Sequence, residues 1–491
     1  MMMSERKRLH PASIIDTVFM NLKGIALPAI VFLFFGSRGD GFFGFLYFGA
    51  ILVLLTAYIG YGVAVWYRFY YWIEDSELRI ESGVFIKNRR FIPRERIQTI
   101  DTSEGIIQRI FGLVKVQVET AGGGAEAEAV LTAVTKEEAQ NLRGALLYKE
   151  RPLQEGEEHD LGNLEEDAFP KEDIKKPTYK VSWSTLFLVG TTSGGIGVVL
   201  SAVIAFASQF DQFIPYDDIV DRFDLVLQTS VYFIASVVFL ILLVSWLISI
   251  AMTMFKYGNF TVVKQGDELL ISRGIIEKKQ LTIPLSRIQA VRVSQNIIRQ
   301  PFGLATVFVE SAGSAGDKEA GFSTLLFPLV KLKEVEALVQ EFTPAYQLQA
   351  ETHGLPKRAL PRFIIKLVVP AIIIASAVAY LFQPYGFIAY ILVLFAASLA
   401  YGQFTAGGWN VQGNQLQLSY RTVSKTIVMV HKKRVQSFEW KESKFQSRKE
   451  LQTINAAIKT SIGFKNFRVV DVEKEDGSAI FDWYTYEEKQ G

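Results

Sequence analysis

The sequence predicts membrane α-helical hairpins joined to α+β domains. It expects six transmembrane helices and three small β-barrel or sandwich domains, each closed by a C-terminal helix. Three observations lead there. Long stretches carry no charged residue, a 45-residue block recurs at an offset of 191 residues, and short β-rich runs end in a helical pattern. The chain of 491 residues is 49% hydrophobic, with a formal net charge of +2. That balance gives no reason to expect a nucleic-acid partner. There is no cysteine, and the four histidines (His10, His159, His353, His431) are far apart. Disulfides and thiolate sites are therefore excluded, and no metal, cofactor or catalytic constellation is expected.

The segments Gly41–Tyr67, Val181–Phe210 and Leu225–Phe255 contain no Asp, Glu, Lys or Arg. Neither does Leu367–Tyr420, which Gln383-Pro384-Tyr385-Gly386 splits by turn chemistry. A bilayer core needs about 20 apolar residues as a helix, so these are expected spans. A weaker one is expected over Thr17–Gly36, where Lys23 sits near one end and can snorkel. The spans pair into hairpins over 17–67, 181–255 and 363–404, each followed by a β-rich domain (68–149, 256–343, 405–491). An acidic linker occupies 150–178 and a second linker 344–362. Arg68, Lys175, Lys176, Lys180, Lys256, Lys357, Arg358 and Arg362 all flank the spans on the side of the polar segments. The positive-inside rule puts the N-terminus and all three domains in the cytoplasm.

Aligned without a gap, Leu78–Gly122 and Leu269–Gly313 are identical in about 20 of 45 columns, where chance gives roughly 3. The shared pieces are I-P-x-x-R-I-Q (Ile92–Gln98, Ile283–Gln289), the Ile pairs at 106–107 and 297–298, F-G-L (Phe111–Leu113, Phe302–Leu304), and Glu119/Glu310. A third, diverged copy starts at Leu416, with Arg434-Val435-Gln436 in the R-I-Q place. There the Pro has become His431, the turn Gly Arg421, and F-G-L Lys449-Glu450-Leu451. "TKEEAQNLRGALLY" and "VKLKEVEALVQEF" close the first two copies as helices, whereas the last helix is expected to be cut short at "YTYEEKQG".

Two groups are candidate partner or lipid contacts. Arg96, Gln98, Arg287 and Gln289 either satisfy backbone carbonyls inside their own domains or present a binding edge near the membrane. Lys87, Arg89, Arg90, Lys278, Lys279, Lys432, Lys433 and Arg434 follow the turn position in each copy. They suit phosphate or anionic lipid, or else they are solvated charges that protect a sheet edge. The Gly-rich "ETAGGGAEAEA" and "ESAGSAGDKEA" lack the phosphate-loop pattern and read as hairpin loops. Gly190 and Gly194 permit close helix packing.

Two spans followed by I-P-x-x-R-I-Q, I-I-x-x-x-F-G-L and V-x-V-E-x-A-G resemble the bacterial PH-like domain of YdbS/YdbT-type membrane proteins. The resemblance covers most of the chain outside the acidic linker. It implies a pleckstrin-homology-like fold, a bacterial cell membrane location and a scaffold without enzymatic activity. It further implies a role in envelope stress or resistance to membrane-active peptides. The implied partners are membrane lipid and a short single-domain YdbS-like membrane protein, joined in a hetero-complex. The alternative is a transporter or exporter component for peptide or lipid.

Overall fold

A computed structural model describes residues 5–16, 42–120, 127–147, 176–193, 231–312, 323–383, 385–460 and 463–485, with isolated positions between 18 and 201. Unit one begins with β1 (Lys7–Arg8), ahead of the first expected hairpin. It continues with β2 (Tyr70–Glu74), β3 (Glu77–Ser82), β4 (Asn88–Pro93), β5 (Ile97–Glu104), β6 (Leu113–Thr120) and β7 (Ala129–Thr135). Unit two repeats this as β8 (Thr178–Lys180), β9 (Thr261–Gln265), β10 (Glu268–Arg273), β11 (Lys278–Pro284), β12 (Ile288–Gln295), β13 (Leu304–Ser311) and β14 (Thr324–Lys331). Unit three comprises β15 (His353–Gly354), β16 (Gly408–Gln412), β17 (Gln415–Arg421), β18 (Lys425–His431), β19 (Val435–Lys441), β20 (Leu451–Thr460) and β21 (Gly463–Glu473).

Each unit thus takes its first strand from ahead of its expected hairpin, a two- or three-residue piece too short for any periodicity to announce. β1 pairs antiparallel with β2, β8 with β9 and β15 with β16. All the ladders are antiparallel, and the strands alternate apolar residues into one core per unit, around Leu78 and Val116, Leu269 and Val307, and Leu416 and Ile454.

The sheets do not stop at the unit boundaries. Their orders are β1-β2-β3-β4, then β7-β6-β5-β11-β10-β9-β8, then β14-β13-β12-β18-β17-β16-β15, and finally β19-β20-β21. Each unit is a four-strand and a three-strand half packed face to face. The three-strand half of one unit pairs edge to edge with the four-strand half of the next. Backbone hydrogen bonds across β5–β11 and β12–β18 make the units one array.

The I-P-x-x-R turn has the same geometry in all three copies. Pro93, Pro284 and His431 are extended (φ −61°, −61° and −78°) and lead into one turn of 3₁₀ helix. The next N–H is held in each: Arg94 by Ser76 O, Leu285 by Asp267 O and Lys432 by Asn414 O (3.1, 2.8 and 2.8 Å). Proline pre-sets φ, yet this backbone bond keeps the turn where His replaces it. Gly112, Gly303 and Glu450 likewise share positive φ (66°, 61° and 52°), so the diverged F-G-L keeps its backbone at a cost Gly avoids.

Closing helices cover the cores: Lys136–Leu147, Leu332–Phe342 and Lys474–Thr485. The third is 12 residues long, like the first, so the expected shortening is not found. Its Gly477 is a poor helix former, but a Cβ there would meet Gln452 Nε2 at 1.6 Å. Close packing holds a turn that local propensity discourages.

Among the described residues, three helices are long and apolar enough to cross a membrane: Val238–Tyr257, Lys357–Leu381 and Tyr385–Ala406. That corrects the expected six. The helix Phe42–Tyr67, 26 residues, lies at the second expected span. At the third expected span the described residues include the helix Trp183–Thr192. Nearly all of Thr17–Gly36, the rest of the third expected span and most of the acidic linker fall outside the described residues. Helix contacts use small residues: a Cβ on Gly190 would lie 3.1 Å from Ile250 Cα, and one on Gly386 2.7 Å from Ala379 Cα.

Candidate functional site

The strand directions give every unit a membrane-proximal and a membrane-distal end. The loop after β3 docks on the helix before β2: Arg68 Nη1 donates to Val84 O (3.3 Å), and the rings of Tyr61 and Phe85 stack at 6.3 Å. In unit two Gly274 N donates to Gly258 O (2.7 Å), and in unit three Gln403 Nε2 donates to Thr422 O (2.8 Å). The I-I-x-x-x-F-G loop lies at the same end. Arg299 from that loop is buried and donates Nε to Thr192 Oγ1 (2.9 Å) and Nη2 to Val189 O (3.4 Å), at the end of Trp183–Thr192. Around these contacts large apolar side chains stand exposed: Phe85 (89%), Ile110 (72%), Phe302 (71%) and Phe445 (74%). Exposed apolar tips beside membrane-length helices have the composition that suits a lipid interface.

The 3₁₀ turns sit at the other end of β4 and β5, an eight-residue strand away, which is about 26 Å at 3.3 Å per residue. Arg96 and Arg287, at the ends of these turns, are therefore membrane-distal. Arg96 is exposed, and the side chain of Gln98 lies outside the described residues. Arg287 is half-buried and its burial holds the guanidinium below its ordinary pKa. Gln289 is buried and donates Nε2 to Arg287 O (2.9 Å), while Arg434 donates to Ser286 O of the preceding unit. Arg287, Arg94, Glu95 and Glu268 line a cavity of about 640 Å³ between the turns of units one and two. Gln289→Ala is expected to cost about 1 kcal/mol, and Arg96→Ala less than about 0.5 kcal/mol. Thermal melts of the full chain in detergent read both.

The basic residues do not form one cluster. Lys87 and Arg89 are exposed and share Glu81 (3.2 and 2.8 Å). Arg90 donates to Glu128 O. Lys278 is exposed with its Cα opposite Glu104, and Lys279 pairs with Glu277 (3.5 Å). Lys432 lies 5.7 Å from the Trp483 ring centroid and Lys433 is exposed. A basic concavity does exist, from residues outside the candidate contact sets. Arg362, Lys366, Arg421 and Arg468 line a cavity of about 880 Å³ at the base of Leu360–Leu381. Arg362 Nε bonds both oxygens of Asp471 (3.0 and 3.1 Å). Arg421 Nε is buried with no hydrogen-bond partner among the described residues, and burial holds its pKa below the ordinary value.

The two unit junctions carry buried charge. At β5–β11, Asp101 Oδ1 accepts from Thr282 N (3.0 Å); burial, with Glu119 adding to it, pushes its carboxyl up to about 8. At β12–β18, buried Glu310 accepts from Arg292 Nε (2.8 Å), Lys465 Nζ (2.9 Å) and Ser323 Oγ (2.9 Å). Glu119 and Glu310 are the repeat's shared glutamate, but their partners lie across strands or in another unit, where pairwise alignment gives no signal.

A family model described as "Bacterial PH domain" matches residues 25–150, 212–344 and 363–488. The UPF0699 transmembrane protein YdbT of Bacillus subtilis (strain 168) is 39% identical over 497 residues, covering 100% of both chains. The UPF0699 transmembrane protein YdbS of the same organism is 33% identical over 76 residues, 16% of this chain and 45% of YdbS. No solved structure matches.

Proposed function

The chain belongs to the bacterial PH-domain family, as a YdbT-like membrane protein with three PH-like units, and on that premise we propose that it is a membrane scaffold. Its membrane-length helices hold the units against the cytoplasmic face of a bacterial cell membrane as one platform. The platform binds anionic lipid through the basic cavity at Arg362, Lys366, Arg421 and Arg468. Its protein partner is a short, single-unit relative of the YdbS kind, joined by packing of membrane hairpins. The platform serves envelope maintenance, including resistance to membrane-active peptides, and does no chemistry itself. The observation that carries this is the continuity of the sheets across all three units, which suits a fixed template better than moving parts. The alternative, a transporter component for peptide or lipid, needs halves that move against each other.

The strand pairings support the topology. β1 pairs with β2, β8 with β9 and β15 with β16, so each intervening segment returns to the side it left. Alkaline phosphatase fused after Asp217 is expected to be active, and fusions after Gly122, Gly313 and Gly463 silent. Activity at any of those last three overturns the orientation. Cross-linking in native membranes is expected to recover the short relative; peptide or lipid flux through vesicles holding the purified chain favours the transporter instead.

A further inference from the structure

The two junctions inside the chain follow one rule. Lys278 faces Glu104, Lys279 faces Ser103 and Gln280 faces Thr102 at the first. Lys425 faces Gln295, Thr426 faces Ser294 and Ile427 faces Val293 at the second. Lys278 and Lys425 are the same repeat position, and so are Glu104 and Gln295. The register is therefore identical. A fourth-strand edge of one unit meets a fifth-strand edge of the unit before it.

Two such edges have no partner strand among the described residues: β4 at the start of the array and β19 at its end. Their side chains are more exposed than their counterparts at the internal junctions. Phe91 on β4 is 54% exposed, while its counterparts Thr282 and Met429 are 2% and 0% exposed. Trp440 on β19 is 47% exposed, while its counterpart Val293 is 1% exposed. The β4 edge carries Lys87, Arg89 and Arg90 exposed, and β19 with the next residue carries Glu439, Lys441 and Glu442 exposed, Lys441 pairing with Glu439 (3.0 Å) and Glu442 with Lys474 (3.4 Å).

We infer that β4 of one copy pairs with β19 of a second copy of this chain, repeating the internal junction between molecules. The internal register, carried over, makes the pairs. Arg90 faces Glu439 and Lys87 faces Glu442. Arg89 lies over Trp440, and Phe91 faces Phe438. Opposite charges, a cation on an aromatic face and an aromatic pair are favourable cross-strand neighbours. Charges placed only to protect an edge would need no such match. The interface is heterologous, so copies join head to tail into a ring or an open row. The claim goes beyond the scaffold reading and stands equally if the chain is a transporter.

The chain has no cysteine, so introduced thiols report without background. Two differently tagged copies, one Arg90→Cys and one Glu439→Cys, are co-expressed and oxidised in native membranes. Facing residues of antiparallel strands lie within disulfide reach. The expected result is a cross-linked pair of 55.2 kDa chains carrying both tags. No such pair is expected when both copies carry Arg90→Cys, or when Phe438→Cys, on the other face, replaces Glu439→Cys. Native mass spectrometry in mild detergent is expected to lose the multimer with Arg90→Glu and regain it with Arg90→Glu plus Glu439→Arg. Absence of the two-tag product overturns the inference. So does a disulfide that forms only within one chain carrying both cysteines, or an Arg90→Cys copy that cross-links only to the short single-unit relative.

Discussion

Glu310→Ala is expected to destabilise the chain by about 3–5 kcal/mol, the usual cost of breaking a buried ion pair by removing one partner. Glu310 is 1% exposed, and Arg292, Lys465 and Ser323 converge on its carboxylate. Arg292 belongs to unit two and Lys465 to unit three, so the carboxylate ties the second junction as well as one core. Its removal leaves two desolvated cations, one of which, Lys465, burial already holds below its ordinary pKa. Thermal melts in detergent measure the loss, and a protease that cuts between β14 and β15 should act faster. Replacing the set together, Glu310→Leu with Arg292→Met and Lys465→Met, is expected to recover most of the stability, since no charge is then stranded. A Glu310→Ala chain that melts within about 0.5 kcal/mol of the parent, the range of an ordinary surface change, would sink this account.

Asp101→Asn is expected to act in the opposite direction, and only at higher pH. Asp101 is 3% exposed at the first junction, and burial holds its carboxyl up to about 8, against about 3.9 in an unfolded chain. A raised carboxylate pKa means the folded state holds the proton more tightly than the unfolded one. The stability this provides is complete below about pH 4 and is lost as pH rises toward and through about 8. Asparagine keeps an oxygen for Thr282 N and never ionises. The variant is therefore expected to gain about 5 kcal/mol over the parent at pH 8 and less than about 1 kcal/mol at pH 4. Parallel melting curves for parent and variant across that range would show that the group does not titrate in the junction.

Much of this molecule was legible because its order is local or repeated. The charge-free stretches Leu225–Phe255 and Leu367–Tyr420 announce membrane helices through composition alone. The repeat found all three units, since I-P-x-x-R-I-Q sets one turn within a dozen residues of backbone. The site was read less well. Arg96 and Arg287 were expected to face either their own cores or the membrane, and strand direction carries them to the distal end. The basic cavity joins Arg362 to Arg421 and Arg468, residues tens of positions apart that no motif links. Arg299 fastens unit two to Trp183–Thr192 through contacts over 100 residues away.

Sequence by itself determined which segments are apolar for a bilayer's length, that one unit is written three times, and how each turn is shaped. Those properties depend on neighbours a few residues apart. Tertiary structure alone decided that β1, β8 and β15 complete units whose other strands lie beyond an expected hairpin, and that β5–β11 and β12–β18 join the units. Backbone hydrogen bonds make those joints, and every residue offers the same N–H and C=O. Which edges meet is settled by the shapes and charges brought together once the chain has folded, and in β4 and β19 the same chemistry is left facing solvent.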